Sequence, residues 1–536
     1  MPKWLEDAVF YEIYPQSFYD SNGDGIGDIE GIIQKLDYVK DLGCNGIWLN
    51  PCFDSPFKDA GYDVRDYQKV APRYGTNQDL YRLFEEAHNK GIRVILDLVP
   101  GHTSEEHTWF MESKKPEENI FSNRYIWTDS WFKRPEGFAF IGGEADRDGA
   151  YILNFFKCQP ALNYGFLNVK EGWQLPPNHP DCIATREALM NIMRFWLQHG
   201  ADGFRVDMAD SLVKNDDALK SGTSSVWKAV RAMLDKEFPE AFIVSEWSSP
   251  DLSLKAGFHA DFLLDHEDSG YKSLVRNYKI DRQTRKVVND ISFFKKDCHH
   301  DISKFLSQYL PWYEKTKNDG YISLITGNHD TPRISLNLDR RELALAYAVL
   351  FTMPGVPFIY YGDEIGMEYN IDLPTKEGGY TRTGSRTPMQ WLRSGLNAGF
   401  STAPADKLYL PVDIRPNAPY VDSQQAEPSS LLNIVKILLR LRHAESDLQA
   451  IPNFELVNNK EFFNDTPRIP FAYKRGNLVC AVNPLSIRAT SHISILGSEN
   501  LTATLKYKKI FSIGKCTLMN GGCIMEPQSF GIWRIV

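Results

Sequence analysis

Gly203-Phe204-Arg205-Val206-Asp207 is the stretch on which the reading of the whole chain turns. The segment before it, Arg186 to Gly200, carries apolar residues at Leu189, Ile192, Met193 and Trp196 and then stops at a glycine. That three-and-four spacing predicts a helix with one buried face. A short strand follows. Side chains alternate along a strand, so Phe204 and Val206 share one face while Arg205 and Asp207 share the other. The charged pair arrives where the strand runs out. In a barrel of alternating strands and helices those ends form the working face, so a carboxylate placed there reads as catalytic. A guanidinium alongside favours the ionised carboxylate, the form a nucleophile needs. An ordinary ion pair would be spelled by the same five residues, so the other strand ends have to decide.

A chain of 536 residues suits two or three domains, and its 43% hydrophobic and 24% charged residues match a globular protein. The net charge of −9, with no basic block, argues against a nucleic-acid partner. Aromatic residues reach 13%, which suits sugar stacking and equally suits a large core. No stretch approaches the apolar length that spans a bilayer, and Met1 to Asp7 has no signal-type run. Eight scattered cysteines, without a CxxC pair, predict reduced buried thiols and a cytoplasmic protein. The expected state is a monomer or a weak homo-oligomer.

Working outward, helix and strand patterns alternate on both sides of the opening stretch. Val9 to Tyr14, Gly46 to Leu49, Arg93 to Val99, Asp202 to Val206, Ala241 to Ser245, Tyr321 to Thr326 and Val356 to Tyr361 are predicted strands, several of them unbroken apolar runs. Such runs fit parallel strands covered on both faces. Helices are predicted at Gly31–Leu42, Asn77–Lys90, Ser224–Phe238, Ile302–Lys315, Arg340–Thr352 and Leu431–His443. Repeated βα units of this kind predict a closed barrel, residues 1–100 and 180–453. Between 101 and 179 the alternation fails and Trp109, Trp127, Trp131, Phe132, Phe138 and Tyr151 accumulate, which predicts a small inserted domain beside the working face. Gly366 to Glu427 is irregular, as loops or a lid would be. From 454 to 536, short β runs such as Phe471–Lys474, Leu478–Val482 and Ser491–Leu496 predict a C-terminal antiparallel β-sandwich.

Near the N-terminus, Asp20, Asn22, Asp24 and Asp28 place side-chain oxygens at alternating positions among glycines, with the Ile26 carbonyl between them. A hard cation, Ca²⁺ or Mg²⁺, needs such a set. The glutamate that would complete an EF-hand is missing, since position 31 is Gly31, and an Asx-rich loop without metal has the same residues.

Carboxylates end three predicted strands: Asp207, Glu246 after Phe242 to Ser245, and Asp330 after Leu324 to His329. A barrel brings such ends together. Crowding pushes their pKa values apart, so that one can stay protonated while another stays ionised, the division of labour in glycoside hydrolysis. Zinc is a weak alternative, as no HExxH or cysteine ligand set is present.

Asp97 to His102, Gly203 to Asp207, Ser245-Glu246 and Asn328-His329-Asp330, in this order, resemble the signature of the α-amylase family. So do Gly61 to Tyr67, Gln159 to Asn163, Gly355 to Glu364 and Arg386 to Trp391. The resemblance implies a (β/α)8 barrel with an inserted domain after the third strand. It implies Asp207 as nucleophile, Glu246 as acid and base, and Asp330 as the third carboxylate, in a retaining mechanism with the first two about 5–5.5 Å apart. Arg205 would keep Asp207 ionised; Tyr62, Asp63, His102 and His329 would line the subsite of the cleaved sugar, Tyr62 as its stacking platform. Asp59 and Arg386 are similar to the residues that close the pocket in exo-acting α-glucosidases and oligo-1,6-glucosidases. Trp247 fits either a stacking wall for the leaving sugar or a core aromatic. The implied partners are short α-linked gluco-oligosaccharides. Endo-acting amylase, transglycosylase or isomerase such as trehalose synthase, and an inactive binding subunit are the alternatives. The chain departs from the family at Gly101 where asparagine is usual, at Ala161 where aspartate is usual, at Met208 after the nucleophile, where linkage preference is normally read, and at Asp210-Ser211, where many endo-amylases have Lys-His.

Overall fold

Parallel strands form the centre of the computed structural model, which describes residues 1–281, 283–297, 302–457, 470–493, 506–519 and 521–536. Among the described residues they are β1 (Phe10–Ile13), β2 (Gly46–Leu49), β3 (Arg93–Leu98), β4 (Gly203–Val206), β5 (Phe242–Ser245), β6 (Ala260–Phe262), β7 (Tyr321–Ser323) and β8 (Phe358–Tyr360). Each lies beside its predecessor from β1 to β7, and β8 pairs with β1, Phe358 opposite Phe10. A parallel bridge from Ile325 to Phe358 spans the remaining gap between β7 and β8. This is the (β/α)8 barrel expected from the alternation.

The strands are buried on both faces because helices wrap the outside and aromatic rings fill the inside. Phe10 stacks on Phe358 with centroids 4.6 Å apart, and Trp48 meets Phe262 at 5.4 Å. Burying one such ring contributes about 1.5–3 kcal/mol. The outer ring comprises Asn77–Asn89, Pro180–Gln198, Ser221–Glu237, Pro250–Ala256, Ser303–Thr316, Arg340–Thr352 and Leu431–Ala444. Two of these begin with a capping box, Thr76 with Asp79 and Asp339 with Glu342, which satisfies helix-start N–H groups.

Three elements differ from the sequence-based expectation. The predicted helix Gly31–Leu42 is two helices, Ile29–Gln34 and Leu36–Leu42, separated at Lys35, and Asp28 caps the first through the Gly31 N–H. The helix before the opening stretch starts at Pro180, earlier than the apolar spacing indicated, because Pro180 occupies its first turn and His179 caps it. β6 was not foreseen. It has three residues and a buried aspartate, Asp261, in the middle, so it carries no readable pattern; the carboxylate accepts from Ser245 Oγ at 2.7 Å and Ser249 N at 2.8 Å.

Between β3 and Pro180–Gln198 the chain leaves the barrel. It forms the short helix Thr108–Ser113 and a hairpin of Phe140–Gly142 with Ala150–Ile152, around a small core of Ile126, Ile152, Ala161 and Phe166. A bridge between His102 and Ala161 ties this segment to the end of β3. The C-terminal part is a pair of antiparallel sheets. Phe454–Leu456, Phe471–Arg475, Leu478–Asn483, Ser529–Ile535 and Tyr507–Ile513 form one; Ala489–His492, Gly522–Met525 and Cys516–Met519 form the other. Ala472, Val479, Ala481, Cys523, Met525 and Trp533 pack together in their core. The end of the predicted run Ser491–Leu496, residues 494–496, lies outside the described residues, as does Cys298. The other cysteines are free and buried. No helix among the described residues is long and apolar enough to cross a membrane.

Candidate active site

Arg205 is the hub of the site. Register places it directly opposite Asp97 on β3, and Nη1 meets Asp97 Oδ1 at 2.8 Å. The same nitrogen meets Asp207 Oδ1 at 3.0 Å, while Nη2 meets Glu246 Oε2 at 2.8 Å. One guanidinium therefore holds both carboxylates that the sequence singled out at the ends of β4 and β5. Gly203 makes the approach of those strands possible: a Cβ there would stand 1.9 Å from the Phe242 carbonyl oxygen. After the first carboxylate the backbone turns left-handed at Met208 (φ 42°), unusual for a non-glycine residue, and the Met208 N–H donates to Glu246 Oε2 at 3.0 Å.

One cation among three carboxylates cannot keep all of them ionised. Burial, then Glu246, push the Asp207 carboxyl well above its usual range, and the pull of Arg205 does not cancel them. Asp330 moves the other way. Burial would raise it, but His329, Arg382 and Arg386 outweigh burial and hold it well below the carboxylate range. Its Oδ1 lies 2.7 Å from Arg386 Nη2 and 3.1 Å from Arg382 Nη1.

Beneath them runs a buried polar chain. The Tyr62 hydroxyl lies 3.0 Å from Asp97 Oδ2 and 2.7 Å from His329 Nε2, with its ring stacked on the imidazole at 5.3 Å. His329 Nδ1 lies 2.9 Å from Glu12 Oε1, and burial pulls this histidine down to about 3, so it is neutral.

These groups surround a cavity of about 310 Å³. Of the residues expected from the sequence, Asp59, Tyr62, His102, Asp207, Glu246, Trp247 and Asp330 line it. Arg205, His329 and Arg386 stand behind that wall, each fully buried, and act through Asp207, Tyr62 and Asp330. Asp63 is further back. Its carboxylate accepts from Ser55 Oγ at 3.0 Å, Lys58 N at 2.9 Å and Asp59 N at 3.0 Å, so it shapes the loop that carries Asp59. Trp247 lines the cavity and packs edge-on against Phe258. Sequence reasoning missed Arg382, Phe155, Leu264 and His266. Arg382 bridges Asp59 (3.1 Å) and Asp330 (3.1 Å), closing one end of the cavity where Arg386 was expected to do so. Arginines four apart within Tyr380 to Arg386, in an otherwise irregular stretch, were the available signal.

The loop from Asp20 to Asp28 turns its oxygens onto its own N–H groups. Asp20 Oδ1 accepts from Gly23 N at 2.7 Å, Asp20 Oδ2 from Gly25 N at 2.8 Å, Asn22 Oδ1 from Asp24 N at 2.9 Å and Asp24 Oδ1 from Ile26 N at 2.8 Å. Asp28 is spent on Ser21 and on the helix cap at Gly31. Among the described residues no three His, Cys, Asp or Glu side chains converge as a metal cluster. Both oxygens of Asp20 and Asp28 Oδ1 already accept two donors each, so acceptor capacity remains chiefly on Asn22, Asp24 and the Ile26 carbonyl.

The family model described as the alpha amylase catalytic domain matches residues 12–450. The chain belongs to the α-amylase family. Among curated relatives of this α-amylase-family chain, the trehalose synthase/amylase of Mycolicibacterium smegmatis is 32% identical over 495 residues, covering 84% of this chain and 78% of that one. An oligo-1,6-glucosidase of Heyndrickxia coagulans is 32% identical over 512 residues, with 83% and 86% covered. The crystal structure of trehalose-6-phosphate hydrolase from Bacillus licheniformis superposes with a TM-score of 0.78 at 25% identity, covering all of both chains. The protein is thus an α-amylase-family glycoside hydrolase that works on α-glucosidic bonds.

Proposed function

We propose that this α-amylase-family enzyme is a retaining α-glucosidase that releases single glucose units from the non-reducing end of short malto- or isomalto-oligosaccharides. The observation that carries this reading is one guanidinium holding Asp207 and Glu246 at a cavity whose end is closed by Arg382 between Asp59 and Asp330. On this reading the Arg382 bridge stops a substrate chain at its terminal sugar. Asp207 attacks the anomeric carbon while Glu246 gives its proton to the departing glycosidic oxygen, leaving a glycosyl ester on Asp207. Glu246 then takes a proton from water, whose oxygen attacks the same carbon and frees Asp207. Asp330, kept ionised by its two arginines, accepts from sugar hydroxyls, and Tyr62 stacks beneath the ring. Retention fits carboxylates that share a guanidinium, since inversion needs room for a water between them.

Chromatography of early products from maltotriose and isomaltotriose tests the reading: glucose and the disaccharide are expected in equal amounts. Internal cleavage of long starch chains would overturn it. Similarity to the trehalose synthase/amylase favours a second reading, in which a sugar hydroxyl receives the glycosyl group instead of water. Conversion of maltose into trehalose without net glucose would select that one.

We further propose Ca²⁺ or Mg²⁺ as a structural ion on Asp20, Asn22, Asp24, Asp28 and the Ile26 carbonyl. The Asp24 Oδ2 and Ile26 oxygens, to which no donor is directed among the described contacts, support it. Adding Ca²⁺ to chelator-treated protein is then expected to raise the melting temperature, since a ligand at a hundred times its Kd adds about 2.7 kcal/mol. An unchanged melt would refute the ion. The free, buried cysteines support a cytoplasmic setting.

A further inference from the structure

Beside the cavity stands a row of side chains that the hydrolysis above does not use. Lys214 Nζ donates to the Ser211 carbonyl at 2.7 Å and to Asn154 Oδ1 at 3.2 Å. The amide nitrogen of Asn154 meets His102 Nδ1 at 3.0 Å, with Met208 Sδ 3.8 Å away. His102 Nε2 in turn lies 3.1 Å from the Tyr62 carbonyl oxygen. His102 and Met208 are cavity walls, whereas Asn154 and Lys214 are not.

The order of donors along this row follows from what each group can do. An ammonium has no lone pair, so it meets the oxygen end of the amide. The amide then offers its NH₂ to His102, and Nδ1 must accept. Burial brings His102 down to about 4, so the ring is neutral and carries one hydrogen. That hydrogen sits on Nε2, where the Tyr62 carbonyl accepts it. Glycine at position 101 admits the amide. A Cβ there would stand 2.8 Å from Asn154 Nδ2 and 3.3 Å from its Cγ, so any side chain would push the amide away. The φ of Gly101 is not in the left-handed region, so space and not backbone freedom is what calls for glycine.

We propose that Asn154, oriented by Lys214 and admitted by Gly101, is a positioning residue for the reaction: it holds His102 in the Nε2–H form, so that the imidazole donates to the Tyr62 carbonyl and both rings are fixed in the cavity wall, and it braces Met208 behind the nucleophile. The proposal rests on the glycosidase reading, and Asn154 itself touches no sugar.

Asn154→Asp tests it. The aspartate still accepts from Lys214 but cannot donate to Nδ1, so the imidazole turns its hydrogen toward the new carboxylate and Nε2 is left bare. The carboxylate now beside Nδ1 raises His102 above its wild-type value, so that protonation in acid restores the hydrogen on Nε2. With p-nitrophenyl α-glucoside, kcat/KM of the variant is expected about 30-fold below wild type at pH 7.5, the cost of one lost buried donor. By pH 5 the gap should close to about 5-fold, with a melting temperature near wild type. The other charged groups facing the cavity, Asp59, Asp207, Asp210, Glu246, His266, Asp330 and Arg382, and Lys214 behind Asn154, are common to both proteins, so the ratio reads only His102 and the carboxylate placed against it. A ratio that stays constant with pH, or wild-type activity at pH 7.5, would overturn the proposal. If Asn154→Asp fails to fold, Lys214→Met carries the test: the amide is freed to flip, and a several-fold fall in kcat/KM is expected, whereas no change overturns it. Calorimetric binding of an iminosugar separates the two levels of inference. A wild-type protein inert on α-glucosides fails the glycosidase reading, while iminosugar binding that weakens in Asn154→Asp at pH 7.5 and recovers at pH 5 upholds the positioning role without any turnover, and binding unchanged at both overturns it.

Discussion

Asp207→Asn is expected to lower kcat by about four orders of magnitude or more, while the protein melts no lower than wild type. The loss follows from chemistry: an amide does not form the glycosyl ester, and Glu246 alone supplies only protons. The retained stability follows from crowding. Asp207 shares one guanidinium with Asp97 and Glu246, and its folded pKa lies above the unfolded value because burial and Glu246 oppose its charge. A carboxyl raised in this way binds its proton more tightly in the folded state. Its contribution to stability is therefore complete below the unfolded carboxylate range and is lost as pH rises through the folded value. Asparagine does not ionise, so the melting advantage of the variant is expected to widen from pH 5 to pH 8. Activity within a hundredfold of wild type would remove Asp207 as nucleophile. A variant that melts several degrees lower at pH 8 would show that Arg205 does hold the carboxylate as a net stabilising partner.

Arg205→Met carries the second large effect. The guanidinium is buried, touches Asp97, Asp207 and Glu246, and lies 5.0 Å from the Trp48 ring centroid. Methionine of similar length leaves those carboxylates around an apolar chain. Removing one partner of a buried ion pair costs about 3–5 kcal/mol, because the remaining charge is neither solvated nor matched. Lower melting temperature and lost turnover are both expected, with part of the stability regained as falling pH protonates the orphaned carboxylates. Arg205→Lys should melt between the two, since a single ammonium keeps the charge but cannot reach Asp207 and Glu246 from separate nitrogens. Thermal scans at pH 5 and 7.5 measure this. A methionine variant melting like wild type would mean that Asp97 and its neighbours are protonated already, and that Arg205 is not the hub.

Much of the scaffold was legible because it is local. Unbroken apolar strands and one-sided helices announced the barrel, and a charged residue directly after a strand announced its working face. Asp207, Glu246 and Asp330 were found that way, and the structure brings all of them to the wall of one cavity. β6 was not legible, since three residues around Asp261 have no period to detect, and that aspartate is paid for by hydrogen bonds to Ser245 and Ser249 that only the fold assembles. Arg386 was expected to close the cavity with Asp59; Arg382 does so, because the turn Tyr380–Ser385 swings it there and leaves Arg386 behind Asp330.

Local spacing established which residues end strands, and therefore which side chains could meet at the mouth of a barrel. The tertiary structure decided how they meet. It set Arg205 opposite Asp97, hung Asp207 and Glu246 on the same guanidinium, and moved His329, Arg386 and Asp63 from the wall to the support behind it. The physical reason is range. Periodicity is a property of neighbours along the chain, whereas the charge state of Asp207 depends on burial and on carboxylates from other strands, Asp97 and Glu246, whose distances no local spacing encodes.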